Sequence, residues 1–253
     1  ASDGFGSVVV VGSYRGRSAE FYYNDWDGGP RIEMKSQPDP AWRYGNEFHA
    51  PFVAKVDGSG VAEWLSVSSG VNQNVEATGV VYDGRGAWLV CGSIAQTSNY
   101  ETYVPTRTSY PVYLGCTANP GYDKTCTSSN AQRNLTLTGA VEFGVKTFVM
   151  KLRADSSIEW VVQPGEYAGS VAGAAPRRGG SNPASYGDVD TNLEPHAIAP
   201  DGRGGALISG AFGETERLIG ATGATVFRVD SAGLIDWAMK AQPGHTFRDT
   251  PNG

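Results

Sequence analysis

The chain has 253 residues, 34 of them glycine, with 18% charged residues and a net charge of −6. Abundant glycine, many β-branched and aromatic residues and the lack of a long amphipathic helical pattern predict an all-β protein with many turns. The negative charge argues against a nucleic-acid partner, which needs a concentrated basic surface. No run of about 18 apolar residues exists, which argues against a membrane span.

Two sequence phrases recur three times in the same order. The first is Asp-Gly-x-Gly, followed by an apolar run and then a glycine nine residues after the Asp; its copies begin at Asp3, Asp83 and Asp201. The second is a basic residue nine positions before a Trp that follows an acidic residue; its copies are Lys55 with Trp64, Lys151 with Trp160, and Arg228 with Trp237. An internal repeat of this kind indicates an array of one small structural unit.

Each repeat unit is predicted to form a four-stranded antiparallel sheet. In the middle unit the strands are 77–82, 87–94, 147–152 and 158–162, with tight turns at 83–86 and 153–157 and an insertion after the second strand. Short strands separated by turn residues predict hairpins. A four-stranded sheet repeated along the chain is typical of a β-propeller, in which each sheet is one blade.

Segments 77–92 and 52–64 resemble the SBBP-type repeat of seven-bladed β-propellers, a family found mainly in secreted and cell-surface proteins. The resemblance covers all three units but not the insertions between their strands. The spacing also differs: the units begin 80 and then 118 residues apart, further than in the compact family repeat. It implies a propeller fold and an extracellular or cell-surface location. It implies nothing about activity, since one fold serves many functions.

The predicted domain organisation is a single β-propeller region with three blade units. The units are 1–70, which lacks a first strand, 71–166 and 190–244, and residues 245–253 lead into a further blade. Propellers typically have about 4–8 blades. We therefore expect the chain to be part of a larger propeller, closed by a longer polypeptide or, as the alternative, by several chains.

The repeated residues are expected to have structural roles. The glycines supply tight-turn backbone angles. The Trp of each unit packs between neighbouring sheets. The basic and acidic residues of the second phrase form ion pairs or, as the alternative, cover strand edges.

Strand order predicts that the long insertions share one face of the molecule. All of them follow the second or the fourth strand of a unit, at about 13–50, 95–146, 163–193 and 211–223, and eleven of the twelve tyrosines lie in them. Tyr and Trp are favoured at interfaces. The predicted binding-face aromatics are Tyr22, Tyr23, Trp26, Trp42, Tyr44, Tyr100, Tyr103, Tyr110 and Tyr113. A protein subunit or a carbohydrate would be the partner; the alternative is that these side chains form small cores inside the loops.

Cysteine usage and a glycosylation sequon bear on the compartment. Cys116 and Cys126 flank a Pro-Gly turn at a spacing that suits a disulfide, although two free thiols or a metal site are alternatives. Cys91 lies in a predicted strand and is expected to be an inert buried thiol. Asn134 begins the one N-glycosylation sequon of the chain. Together, a disulfide and a sequon favour an oxidising, extracellular setting.

A calcium site is the one cofactor that the sequence suggests. Asp188, Asp190, Asn192 and Glu194 place oxygen-bearing side chains at alternate positions, as calcium loops do, but the EF-hand glycine is absent. The alternative is a polar lead-in to a strand. Glu194 precedes Asp201 by seven residues, as Glu76 precedes Asp83, so it also fits a repeat position.

No catalytic motif was found in the sequence. A nucleophile elbow, a P-loop and a dinucleotide fingerprint are absent, and the three histidines follow no metal-ligand spacing. We therefore expect a non-enzymatic extracellular or cell-surface module that acts in structural assembly or adhesion through its aromatic-rich loop face. The alternative is a carbohydrate-binding or carbohydrate-processing propeller.

Overall fold

The structure is a computed structural model that describes residues 1–15, 18–22, 31–36, 49–60, 62–70, 73–96, 110–118, 124–126, 131–137, 145–163, 193–213 and 222–241. These residues form sixteen β-strands and no helix, which confirms the all-β prediction. Within this part of the chain, no helix is long and apolar enough to cross a bilayer.

Three antiparallel sheets and one small sheet contain all of these strands. Sheet 1 has the order β1 (Val8–Arg15), β4 (His49–Val56), β5 (Ala62–Gly70), β8 (Tyr110–Ala118), β10 (Arg133–Leu137). Sheet 2 has the order β6 (Gln73–Tyr82), β7 (Ala87–Gln96), β11 (Val145–Arg153), β12 (Ile158–Val162). Sheet 3 has the order β13 (Leu193–Pro200), β14 (Ala206–Gly213), β15 (Thr222–Val229), β16 (Ile235–Ala241). The small sheet has the order β2 (Ser18–Tyr22), β3 (Arg31–Ser36), β9 (Lys124–Cys126), with β3 and β9 parallel.

Sheets 2 and 3 have the predicted strand order of a repeat unit. In sheet 1, the described residues place β1 beside β4 and add an isolated bridge between Ser2 and Val8. One expectation for the 95–146 insertion was wrong, because it is not simply a loop. Its strands β8 and β10 continue sheet 1 beyond β5. The physical reason is that β5 would otherwise present an open edge of unpaired backbone groups.

Apolar side chains pack in two layers between the three sheets. We call the side of each sheet that looks toward the next unit its forward face, and the opposite side its rear face. The layer between sheets 1 and 2 packs forward-face residues of sheet 1 against the rear face of sheet 2: Val9, Val53 and Trp64 against Trp88, Val90, Met150 and Leu152. The layer between sheets 2 and 3 repeats this pattern: Leu89, Val149 and Trp160 against Ala206, Ile208, Phe227 and Val229. The same packing therefore occurs twice in succession.

The glycine nine residues after each Asp does not serve a turn, which corrects the sequence interpretation. In sheet 2, a Cβ on Gly92 would lie 2.1 Å from the backbone oxygen of Glu76 in the first strand. In sheet 3, a Cβ on Gly210 would lie 2.2 Å from the backbone oxygen of Glu194. Both first strands shift register next to this point, between Ala77 and Gly79 in sheet 2. The glycine thus permits the close approach of two backbones at a β-bulge.

Candidate functional site

Both tight turns of every unit lie at one end of its sheet, which we call the turn end. The first turn of each unit (3–6, 83–86, 201–204) is closed by its Asp. In the middle copy Asp83 Oδ1 accepts hydrogen bonds from the backbone N–H groups of Arg85 at 2.7 Å and Ala87 at 2.9 Å. Asp3 and Asp201 accept the same two bonds, from the residues two and four positions later. The two glycines of each first turn have φ between 71° and 106°, a backbone region that favours glycine.

The basic residue of the second phrase is bound to acidic groups in every unit. Lys55 Nζ lies 2.7 Å from Glu63, and Arg228 contacts both Asp236 and, at 2.6 Å, Asp201 Oδ2. The predicted ion pairs are confirmed in these two units. In sheets 2 and 3 the basic residue binds the Asp of the first turn, so it joins the two phrases of the repeat.

The middle unit departs from the predicted ion pair. Lys151 Nζ lies 3.1 Å from Asp83 Oδ2 and donates a hydrogen bond of 3.2 Å to the backbone oxygen of Gly204 in the next unit. Glu159, its expected partner, lies instead 3.8 Å from Arg153. The reason is geometric: the buried ammonium group of Lys151 is directed across the layer toward sheet 3, whereas Glu159 is partly exposed.

The Trp of one unit contacts the second turn (57–60, 153–156, 230–233) of the next unit. Trp64 Nε1 donates to the Ala154 backbone oxygen at 2.8 Å, and Trp160 Nε1 donates to that of Ser231 at 3.0 Å. The Trp160 ring also covers Gly233, whose added Cβ would meet it at 2.8 Å. Packing of Trp between sheets is therefore confirmed for these two units, whereas Trp237 is 36% exposed.

Asp201 makes the stability of sheet 3 dependent on pH. Burial of its carboxyl group opposes ionisation, but hydrogen bonds from the Arg203 amide and the Arg228 guanidinium favour the carboxylate, and the net effect lowers the pKa of Asp201 below its usual value. A carboxyl group with a lowered folded-state pKa contributes stability that is fully present above its unfolded-state pKa and is lost as pH falls through its folded-state pKa. We expect thermal melting to show a falling melting temperature below about pH 4. Asp201→Asn should make that fall shallower; an equally steep fall in the variant would contradict this assignment.

The insertions leave from the opposite end of the sheets, which we call the insertion end. The residue pairs Arg15 with His49, Ala95 with Val145, and Gly213 with Thr222 bracket three of them across neighbouring strands. The fourth insertion joins the end of β12 to the start of β13, which are also at the insertion ends of their sheets. His49 Nδ1 lies 2.5 Å from Glu76 Oε1 and joins the insertion ends of sheets 1 and 2. The prediction of one shared end is therefore confirmed for the described strand ends.

The predicted binding-face aromatics are only partly covered by the structure. Six of them lie outside the described residues: Tyr23, Trp26, Trp42, Tyr44, Tyr100 and Tyr103. The other three were expected in loops but lie on strands, Tyr22 on β2 and Tyr110 and Tyr113 on β8, and their side chains are not described. The aromatic binding face stays a prediction.

Two of the three cysteines and the sequon lie in or beside sheet 1, whereas Cys91 lies on β7 of sheet 2. Cys116 is buried in β8, Cys126 ends β9, and Asn134 lies on β10 opposite Tyr113. Cys91 is a free, fully buried cysteine, and burial raises the pKa of its thiol. This agrees with its expected role as an inert buried thiol. Pairing of Cys116 with Cys126 and glycosylation of Asn134 stay predictions.

Three of the four proposed calcium ligands, Asp188, Asp190 and Asn192, lie outside the described residues. Glu194 is exposed on β13, opposite Ala211, just as Glu76 on β6 is opposite Ser93. Glu194 follows Glu76 by 118 residues, and Ala211 follows Ser93 by the same number, which is the offset between units 2 and 3. Glu194 therefore occupies a repeat position. In the described part of the chain, no group of three or more His, Cys, Asp or Glu side chains could hold a metal ion.

Gln132 is a structural residue that the sequence interpretation missed. Its side-chain amide accepts a hydrogen bond of 2.6 Å from the Ile158 N–H and donates one of 3.1 Å to the Ser156 backbone oxygen. It thereby ties the 95–146 insertion to the start of β12 in sheet 2. The alternation of polar and apolar residues at 133–137 could have indicated the strand that follows.

No protein-family model matches this chain, and no curated protein matches it either. The resemblance to the SBBP-type repeat therefore depends on the two sequence segments that carry it, and it stays a prediction.

Proposed function

We propose that this chain is a non-enzymatic β-propeller module of the extracellular space or cell surface, acting in structural assembly or adhesion. Its binding surface would be the insertion end, with other protein subunits as partners. The observation that carries this proposal is that the insertions of all three units leave from the same end of their sheets, opposite the tight turns. Long loops positioned by a rigid scaffold commonly carry binding residues.

The repeated sheet packing supports the propeller architecture. Sheets 2 and 3 have four antiparallel strands each, and the layer between sheets 1 and 2 repeats between sheets 2 and 3. Radial repetition of such sheets generates a propeller, in which edges stay short and protected. Three units would then form part of a larger ring.

The extracellular assignment is supported by the cysteines. Cys91 is free, whereas Cys116 is buried in β8 and Cys126 ends β9. A disulfide between Cys116 and Cys126 is part of this proposal. Mass spectrometry of the protein isolated from its native source should detect a Cys116–Cys126 linked peptide and a glycan on Asn134. Reduced cysteines together with an unmodified Asn134 would contradict the extracellular assignment.

Site-specific photo-crosslinking tests the binding surface. A photoreactive amino acid would replace Tyr23 or Tyr103, which belong to two different insertions, and Asp155, which is exposed at the turn end of sheet 2, is the matched control position. We expect protein adducts from the two insertion positions and none from Asp155. Adducts from Asp155 alone, or none at all, would contradict an insertion-end interface.

A glycan array distinguishes the carbohydrate-binding alternative from assembly with protein subunits. Sugar-ring stacking on Trp or Tyr would give binding that is lost on substitution of Trp26 and Trp42 by Ser. Glycan binding of that kind, without protein adducts, would replace the assembly proposal with a carbohydrate-binding function.

A further inference from the structure

Among the described residues, the exposed large apolar side chains are confined to the two outer units. They are Phe5 at 87%, Val8 at 40%, Val10 at 46%, Trp237 at 36% and Met239 at 62%. Sheet 2 contributes none of them, because both of its faces are covered. Val10 lies on the rear side of sheet 1, and Trp237 and Met239 lie on the forward face of sheet 3.

The interfaces between sheets 1 and 2 and between sheets 2 and 3 show which contacts are missing at the rear side of sheet 1 and at the forward face of sheet 3. On sheet 2, Trp160 is 7% exposed because the second turn of unit 3 lies against it. On sheet 3, Trp237 holds the same repeat position, and no turn from a described residue covers it. In unit 1 the second turn is the uncovered part, because no Trp from a described residue packs against it. Gly60 has no atom within 4 Å of an added Cβ, whereas its equivalents Ser156 and Gly233 are both buried, and Gly233 lies against the Trp160 ring.

The repeat register identifies the atoms that would meet. Each second turn is closed by a backbone hydrogen bond from its fourth residue to its first, with Asp57, Arg153 and Asp230 as the first residues. The Trp of the preceding unit donates to the backbone oxygen of the second residue, which is Ala154 or Ser231. In unit 1 that second residue is Gly58, and it is exposed.

We infer that the forward face of sheet 3 docks onto the turn end of sheet 1 in a second copy of this chain. Trp237 Nε1–H donates to the Gly58 backbone oxygen of the other copy, and Val8 and Val10 of that copy take the rear-face positions that Trp88 and Val90 hold in sheet 2. The contact continues an interface that the chain already makes twice within itself. It is confined to the turn end, because Leu65 and Val67 on the rear face of sheet 1 are already fully buried.

Such a contact joins two different surfaces, head to tail, so it closes into a ring or extends as a filament. Two copies closing a ring would contain six repeat sheets, within the range of about 4–8 found in propellers. The interface is remote from the insertion end, so its failure would leave the proposed binding function untouched, and the converse also holds.

Sedimentation velocity on the full chain tests this inference. The wild-type chain should self-associate reversibly as its concentration rises through the micromolar range. We call the forward face of sheet 3 the head and the turn end of sheet 1 the tail. Trp237→Ala removes the main side chain of the head, and Val10→Asp places a charge on the tail. Both side chains are exposed, so both variants should keep the wild-type circular dichroism spectrum. Each variant alone should associate at least about tenfold more weakly, since a buried Trp commonly anchors an interface. Arg153→Ala, a substitution at an exposed position of sheet 2, should associate as the wild type does.

Sedimentation of a mixture of Trp237→Ala and Val10→Asp is the most decisive experiment. Trp237→Ala keeps an intact tail and Val10→Asp keeps an intact head, so an equal mixture should regain association as one-to-one dimers. Three results would overturn the inference: a wild-type chain that stays monomeric at every concentration, a Trp237→Ala variant that associates like the wild type, or a mixture that stays monomeric.

Discussion

Gly92→Ala should be among the most destabilising single substitutions in this chain, lowering the free energy of unfolding by about 3 kcal/mol or more. The added Cβ would lie 2.1 Å from the Glu76 backbone oxygen and close to the Phe148 ring. A backbone oxygen cannot rotate away as a side chain can, so β6 and β7 would have to separate. Urea denaturation followed by circular dichroism measures the effect.

Two glycines of the same phrase serve as controls for Gly92. Gly84 has φ of 74° with open space around it, so Gly84→Ala should cost only the backbone strain, about 1–2 kcal/mol. At Gly12 the three atoms nearest to the added Cβ all belong to the Phe52 ring, the first at 2.8 Å, and that ring can shift. If Gly92→Ala proved no more harmful than Gly84→Ala, the close approach of the two backbones would not be the reason for this glycine.

Asp83→Asn should destabilise the chain by about 3 kcal/mol at neutral pH, since it leaves a buried Lys without its counter-charge. The Asn side chain keeps an oxygen acceptor for the amides of Arg85 and Ala87, so the turn itself is preserved. The loss is electrostatic: Lys151 is 6% exposed and its ammonium lies 3.1 Å from Asp83 Oδ2. Thermal and urea denaturation measure the change.

A double substitution distinguishes the loss of the counter-charge of Lys151 from a disruption of the first turn. Adding Lys151→Met to Asp83→Asn removes the unpaired charge at similar volume and should restore most of the lost stability. Asp3→Asn is the matched control in unit 1, where the Asp is only half-buried, and it should change the melting temperature much less. If the double variant were as unstable as Asp83→Asn alone, the buried ion pair would not be the source of the effect.

The sequence repeat predicted the parts of the fold that depend on local patterns. Turn residues and apolar runs located the four strands of the middle unit, and strand order correctly predicted that the insertions leave from one end. The Trp and basic series were also assigned correctly in outline, because identical residues at identical offsets must occupy equivalent places in an array.

Contacts between distant segments could not be predicted in this way. The pairing of β8 with β5 joins parts of the chain separated by a whole strand pair, and nothing local to either strand specifies it. The side chain of Gln132 satisfies backbone groups of β12 that only the folded arrangement brings near. Lys151 binds Asp83 rather than Glu159 because the neighbouring sheet sets the direction of its side chain.

Hydrogen exchange at the Trp indole groups tests the central claim most directly, namely that each unit is coupled to the next by an indole N–H group and a turn oxygen. In chain carrying ¹⁵N-labelled Trp, with signals assigned by Trp→Phe variants, we predict that the Trp64 and Trp160 indole protons exchange slowly in dilute solution. The Trp237 indole proton should exchange fast there and become protected as the concentration rises. Fast exchange of Trp64 and Trp160, at rates equal to that of Trp237, would contradict the coupling of the units.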